Sequence, residues 1–449
     1  MYSHGFWDAE LAPLRKAYLI GIARVTIAIC ILIWAIVTIY WGSLWKSSDK
    51  TPNIHAYILN RDPNGAIGQN ITNVLLSTNS NPPPHLSWHS IDPNLYPTKA
   101  DVEKAVAVDH VGWIFVDILT DATSALDQAR TSANASWNPT EVVQIYYSEA
   151  RNQQAVDGPI LGSVRGVLTP SLAQINAQSA ARWLSANSGN SNVLSAIASD
   201  APQTLAGGIA PSYINLRPWN EPVSIAPTFV GLIYAMILAF NITMGNFGMR
   251  QGIQRKLRFR SFVLMRLLVP IPAYFVLSCM FSMINLPFKL SFGGMGYGYG
   301  AGFMIWWCFT FLGMCVLGLW TEAALSLVGP QFIGFALVFI IIINVSVANL
   351  PIELQVSLFK YGYAMPFYNL RQAYVTIIYN TGRHIELLKN MGILLAWLVV
   401  LFATIPFWAW LERRKERSQA SASAASTQSS EASQEVEQKN DEETRQSSQ

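Results

Sequence analysis

Six separated stretches of this chain, 17–41, 226–247, 262–284, 301–325, 332–350 and 391–410, are apolar over about 20 residues each. A helix rises 1.5 Å per residue, so about 20 residues cross a hydrocarbon core of ~30 Å. Inside that core the backbone has no water to bond, which leaves helices or closed barrels as the structures that span it. Uninterrupted apolar runs of this length specify helices. The composition agrees, since 51% of the 449 residues are hydrophobic and only 13% charged. That balance is too apolar for a chain solvated by water alone. The fold class expected is an α-helical polytopic membrane protein with six transmembrane helices and a mixed α/β extracytoplasmic domain between helices 1 and 2.

Residues 1–16 form a short arm ending in Arg15 and Lys16 ahead of the first run. That run is longer than the ~7 to 15 residues of a signal-peptide core and no small-residue cleavage site follows it, so it reads as an uncleaved signal anchor. Lysine and arginine in short loops set orientation. Arg250, Arg255, Lys256, Arg258 and Arg260 fill the loop 248–261, and Arg413, Arg414, Lys415 and Arg417 follow the last run. With six helices these clusters and the N-terminal arm fall on one face, so both termini are expected in the cytoplasm and the plasma membrane is the expected address. The tail 412–449 is rich in Ser, Ala, Gln and Glu without periodicity and is expected to be disordered.

Region 46–222 has no membrane-length apolar run. Its pattern alternates strands at 54–59, 86–91, 113–119 and 142–147 with helices at 66–76, 99–108, 121–130 and 159–187. Thr98 is placed to cap the second helix, three residues before Asp101. Asn70-Ile-Thr72 and Asn134-Ala-Ser136 are glycosylation sequons, consistent with an external address. From 46 to 221 there are ten Lys and Arg against fourteen Asp and Glu, which offers nucleic acid nothing to bind. Cys30, Cys279, Cys308 and Cys315 all lie in apolar runs, so no disulfide framework is implied.

No GxxxxGK[ST] phosphate loop occurs, nor HExxH, GxSxG or a paired-cysteine metal spacing. The glycine run 293–302 reads as a flexible connector. His85 and His89 sit among prolines and read as loop residues. The expectation is therefore a protein that is not an enzyme and holds no cofactor or metal. Ionisable groups within a bilayer cost about 2.5 to 3.5 kcal/mol at a helix centre and are functional candidates by default. Arg24 and Arg266 lie where long side chains snorkel to the interface. Glu322 ends the fourth run, where pairing with a basic residue such as Arg266 ranks ahead of a substrate or proton role. Asn241 and Asn246, with Asn344 and Asn349, suit interhelical hydrogen bonds first and a permeation path second. In 351–388, Phe359, Tyr363, Phe367, Leu370, Tyr374 and Ile378 recur at helical spacing around Pro366, which reads as an interfacial helical hairpin.

One helix, a large external α/β domain, five more helices and a hairpin before the last resemble the membrane subunits of type-2 ABC transporters (ABC-2 type), most of all the branch that includes the YhgE and phage-infection proteins. Ile54-His-Ala-Tyr-Ile-Leu-Asn-Arg-Asp62 with Gly65-Ala-Ile-Gly68 resembles that branch's strand, Asp and Gly opening, and Val111-Gly-Trp-Ile-Phe-Val-Asp117 with 122–126 its second block. With Pro366-Phe-Tyr-Asn-Leu370, residues 14–417 resemble the fungal nitrosoguanidine-resistance family, permease-like proteins carrying a domain of unknown function, DUF3533. The resemblance implies a permease or exporter that lowers exposure to small hydrophobic or alkylating compounds. It also implies a homodimer and a separate energy-coupling partner, since this chain lacks an ATPase motif. The alternative is a non-transporting membrane factor that regulates lipid distribution or a surface stress response.

Overall fold

The computed structural model describes residues 5–446 and, beyond 414, chiefly their backbone. Helix α1 (Ala9–Leu44) leads into a domain built on five strands. These are β1 (His55–Asn60), β2 (Ser87–Ile91), β3 (Ile114–Ile118), β4 (Val143–Tyr147) and β5 (Pro211–Asn215). Their order is β2-β1-β3-β4-β5, with β4 antiparallel to β3 and the other neighbours parallel. Ile58 stands beside Val116, and Val116 beside Ile145.

Successive strand residues point to opposite faces, so both faces of a buried sheet need apolar cover. On one face Ile58, Val116 and Ile145 meet residues of α2 (Ala66–Ser77), α4 (Ala122–Thr131) and α5 (Leu161–Ala186), among them Ile67, Ile71, Leu126, Val164 and Leu168. On the other, Leu59, Phe115 and Tyr146 meet Val102, Ala105 and Val106 of α3 (Lys99–Ala107). Each large apolar side chain buried this way contributes about 1.5–3 kcal/mol. Helix α3 begins at a capping box, Thr98 Oγ1 accepting from the Asp101 N–H and the Asp101 carboxylate from the Thr98 N–H. Helix α6 (Ser191–Asp200) and strand β5 were not expected from the sequence pattern; all five β5 residues are only half-buried, so no clear in/out alternation marks the strand.

The rest of the chain is helical: α7 (Pro222–Arg250), α8 (Phe259–Met283), α9 (Tyr299–Val328), α10 (Ile333–Ala348), α11 (Pro366–Tyr379) and α12 (Ile385–Gln446). Among the described residues five helices are long and apolar enough to cross a membrane: α1, α7, α8, α9 and the Ile385–Arg414 part of α12. Helix α10 has 16 residues, about 24 Å of rise, and falls short of that length. Helix α9 is the centre of the bundle, packed by α7, α8, α10, α11 and α12. Two glycines let it approach: a Cβ at Gly318 would overlap Tyr274 of α8, and one at Gly313 would press on Leu370 of α11.

The segment 412–449 was expected to be disordered; its described part runs as a helical backbone to Gln446, and residues 447–449 lie outside the described residues. It contains no glycine or proline to stop the helix begun at Ile385, and alanine, glutamate and glutamine favour its continuation. The 351–388 hairpin, expected to be interfacial, is packed among the other helices. Its helix α11 is buried on nearly every side, walled by α9, α10 and α12. A periodicity argument finds one apolar face, whereas a helix enclosed by neighbours needs all of them.

Candidate functional site

Glu322, on α9, is 2% exposed. One of its oxygens, Oε1, accepts from Arg250 Nη1 at 2.5 Å and from Arg266 Nε at 2.6 Å. Arg266 Nη1 also reaches Glu412 Oε2 at 2.6 Å, and its Nη2 donates to Ser326 Oγ. Two arginines and two glutamates thus join α7, α8, α9 and α12. A charge taken out of water is tolerated only when paired and hydrogen-bonded, and here the two signs balance. The structure brings Arg266 and Glu322 together and adds Arg250 and Glu412. In the sequence Arg250 is one of several loop cations, and only its place four residues after Asn246 at the end of an apolar run marks it out. Glu412 is an acid among basic neighbours, a faint signal of its own.

A cavity of about 330 Å³ opens beside the network, lined by Phe247, Arg250, Ser326, Gly329, Trp408 and Glu412 among others. It shares Leu327, Val328 and Trp408 with an apolar groove of about 500 Å³, walled by Ile36 of α1, Trp320 of α9, Phe339 of α10 and Trp397 of α12. Trp320 and Trp397 stack at 4.6 Å. The polar cavity and the apolar groove are thus neighbours, sharing Leu327, Val328 and Trp408.

The other intramembrane candidates lie apart from this network. Arg24 is exposed on the half of α1 before Ile33, where no described residue is buried. Asn241 is exposed and Asn246 buried on α7. Asn344 Oδ1 accepts from the Phe367 N–H at 3.2 Å, satisfying the first turn of α11. Asn349 Nδ2 donates to Tyr40 Oη of α1 at 3.3 Å, and the Asn349 carbonyl accepts from Asn152 of the sheet domain. Asn70 is half-buried within α2, whereas Asn134 is exposed in a turn where its Oδ1 accepts from the Ser136 N–H. His89 leaves the proline loop for β2, with Nε2 3.1 Å from His55 Nδ1.

The two sequence blocks of the domain meet each other. Asp62 Oδ2 accepts from the Gly68 N–H and from both donors of Thr123. A Cβ at Gly65 would strike the Asp62 carboxylate and one at Gly68 its backbone, so these glycines are needed where the chain folds around Asp62. Arg61 pairs with Asp117 at 2.7 Å. Burial pushes the Asp117 carboxyl above the usual range, and Arg61 opposes it.

The family model DUF3533, described as a protein of unknown function, matches residues 25–403. An uncharacterized endoplasmic reticulum membrane protein of Saccharomyces cerevisiae is 24% identical, the alignment covering 93% of this chain and 85% of that protein. No solved structure matches the chain. With five helices among the described residues long and apolar enough to cross a bilayer, the chain is an integral membrane protein.

Proposed function

The chain belongs to the DUF3533 family of unknown function, and from that premise we propose that it is a permease-like membrane protein that takes amphipathic or hydrophobic molecules sideways from the bilayer. The observation that carries this reading is the groove between α1, α9, α10 and α12, which adjoins the polar cavity beside Arg250 and Glu412. The apolar body of a small toxic compound, of the nitrosoguanidine type, would occupy the groove and its polar group the cavity. The proposal includes six spans in the ABC-2 manner. In support, α10 starts beyond Gly329 and Pro330, which line the polar cavity, and ends just before Asn349, whose carbonyl is bonded to the sheet domain. Both termini are then cytoplasmic, the sheet domain is external, and Asn134 is its glycosylation site. A homodimer, a separate energy-coupling partner and the lack of catalytic activity are parts of the same reading. The proposed address is the plasma membrane or the endoplasmic reticulum, the latter being where the name of the yeast relative puts that protein.

Ala336 of α10 also lines the groove, and the test is accumulation of a labelled nitrosoguanidine-type compound in cells making the protein, cells lacking it, and cells making Ala336→Trp, which fills the groove. Protein-dependent loss of label, abolished by the tryptophan, is expected. Unchanged accumulation with altered resistance would instead favour a non-transporting factor in lipid distribution, for which the same groove would hold an acyl chain.

A further inference from the structure

Where the sheet domain meets the bundle, a second polar cavity of about 100 Å³ is lined by His110, Trp113, Arg151, Glu353, Arg371 and Glu386 among others. Arg371 comes from α11 and is 8% exposed, and among the described residues its Nε has no hydrogen-bond partner. Arg151 comes from the domain, stacks over the Trp113 ring at 3.8 Å and donates from Nη1 to the Gly112 carbonyl. Burial pulls both guanidinium groups down to about 10, so both are charged at neutral pH. His110, its Nε2 2.9 Å from Thr381 Oγ1, is held well below the usual histidine range by burial and by Arg151. It adds a neutral ring to the wall.

Among the described residues Arg130 Nη2 and Arg250 Nε also lack a hydrogen-bond partner, but Arg130, Arg250 and Arg266 each pair with a carboxylate, and Arg371 does not. Glu353 and Glu386 line the same cavity as Arg371, yet among the described residues neither forms an ion pair with it or with Arg151. A purely structural role would have closed that contact, because a buried guanidinium without an acceptor is costly. What remains is a planar fork of donors facing a small cavity, the geometry that recognises a tetrahedral oxyanion. The volume equals on the order of three waters in the liquid, enough for such an anion and too little for a sugar or nucleotide.

We propose that this cavity binds a phosphate group, held by Arg371 with Arg151 beside it, and that the bound group fastens the sheet domain to the bundle. Glu353 and Glu386 weaken the hold by repulsion and keep it reversible. The phosphate comes from a phospholipid headgroup or from free phosphate. This site is separate from the groove and does not depend on it.

The test uses the full chain purified in detergent. Thermal unfolding is followed in phosphate and in chloride of equal ionic strength, and co-purified phospholipid is counted by native mass spectrometry. Wild type, Arg371→Gln and Glu386→Gln are compared. A rise in unfolding midpoint with phosphate, lost in Arg371→Gln and roughly tenfold more sensitive to phosphate in Glu386→Gln, supports a free-phosphate site. No rise, but a bound phospholipid retained by wild type and Glu386→Gln and lost by Arg371→Gln, supports a headgroup site. If Arg371→Gln does not fold, the wild type and Glu386→Gln decide between the same outcomes. Neither phosphate protection nor retained phospholipid in those two proteins would overturn the proposal.

Discussion

Glu322 carries two arginines on one oxygen, so its charge matters more than its shape. Glu322→Gln leaves Arg266 paired with Glu412 and Arg250 with no ion pair among the described residues, and breaking a buried pair in this way costs about 3–5 kcal/mol. The expected result is a large fall in the thermal midpoint of the detergent-solubilised protein; a midpoint within error of wild type would contradict the pairing. Arg266→Lys is expected to be nearly as damaging, because a single ammonium cannot reach Glu322, Glu412 and Ser326 together. At the sequons the local backbone decides. Asn134 is exposed in a turn, whereas Asn70 sits in α2 and lines a cavity against α5, with Thr72 buried beside it. Asn134→Gln is expected to abolish the mobility shift removed by an endoglycosidase, and Asn70→Gln to leave it unchanged. Pairing between Glu322 and Arg266 was legible from their places at the ends of two apolar runs. Arg371 and Arg151 were not, because an arginine in a polar segment looks solvated until the elements that bury it are in place.

At the level of elements, the bundle depends on close approach around α9. The space at Gly318 is taken by the Tyr274 ring, whose Oη lies 3.3 Å from Thr243 Oγ1 of α7. Gly318→Ala is expected to cost about 1–3 kcal/mol through overpacking, read as a lowered unfolding midpoint, and Tyr274→Leu in the same chain to recover part of it. Strands β1 to β4 and helices α2 to α5 were readable from period-2 and helical patterns and from the Thr98 cap. Strand β5, half-buried throughout, carried too weak a pattern. Helix α11 was read as amphipathic, since its apolar residues recur along one face, yet Ala373, Val375 and Ile377 are buried as completely as Phe367, Leu370 and Tyr374. Its surroundings come from helices distant in sequence, which periodicity does not report.

Across the whole molecule, the sheet domain and the bundle are packed as one body. Leu350 and Leu354, from the segment after α10, complete the core of the sheet domain. Trp219 stacks on Tyr379 at 4.8 Å, Arg217 donates to the Asn380 carbonyl, and Arg383 pairs with Asp109 at 2.7 Å. A fragment 46–222 is therefore expected to exchange its β1 and β3 amide hydrogens faster than the full chain does; equal protection would mean that the domain stands alone. The sequence by itself determined that the chain is a membrane protein, because apolar length is a one-dimensional quantity set by bilayer thickness. It likewise determined that an α/β domain follows the first helix, because strand and helix periods are local. Only the tertiary structure decided which charges meet, which glycines are pressed by neighbours, that α11 is enclosed, and that two arginines from separate regions face one cavity. Those facts depend on distances between residues up to hundreds of positions apart, and no local pattern encodes them.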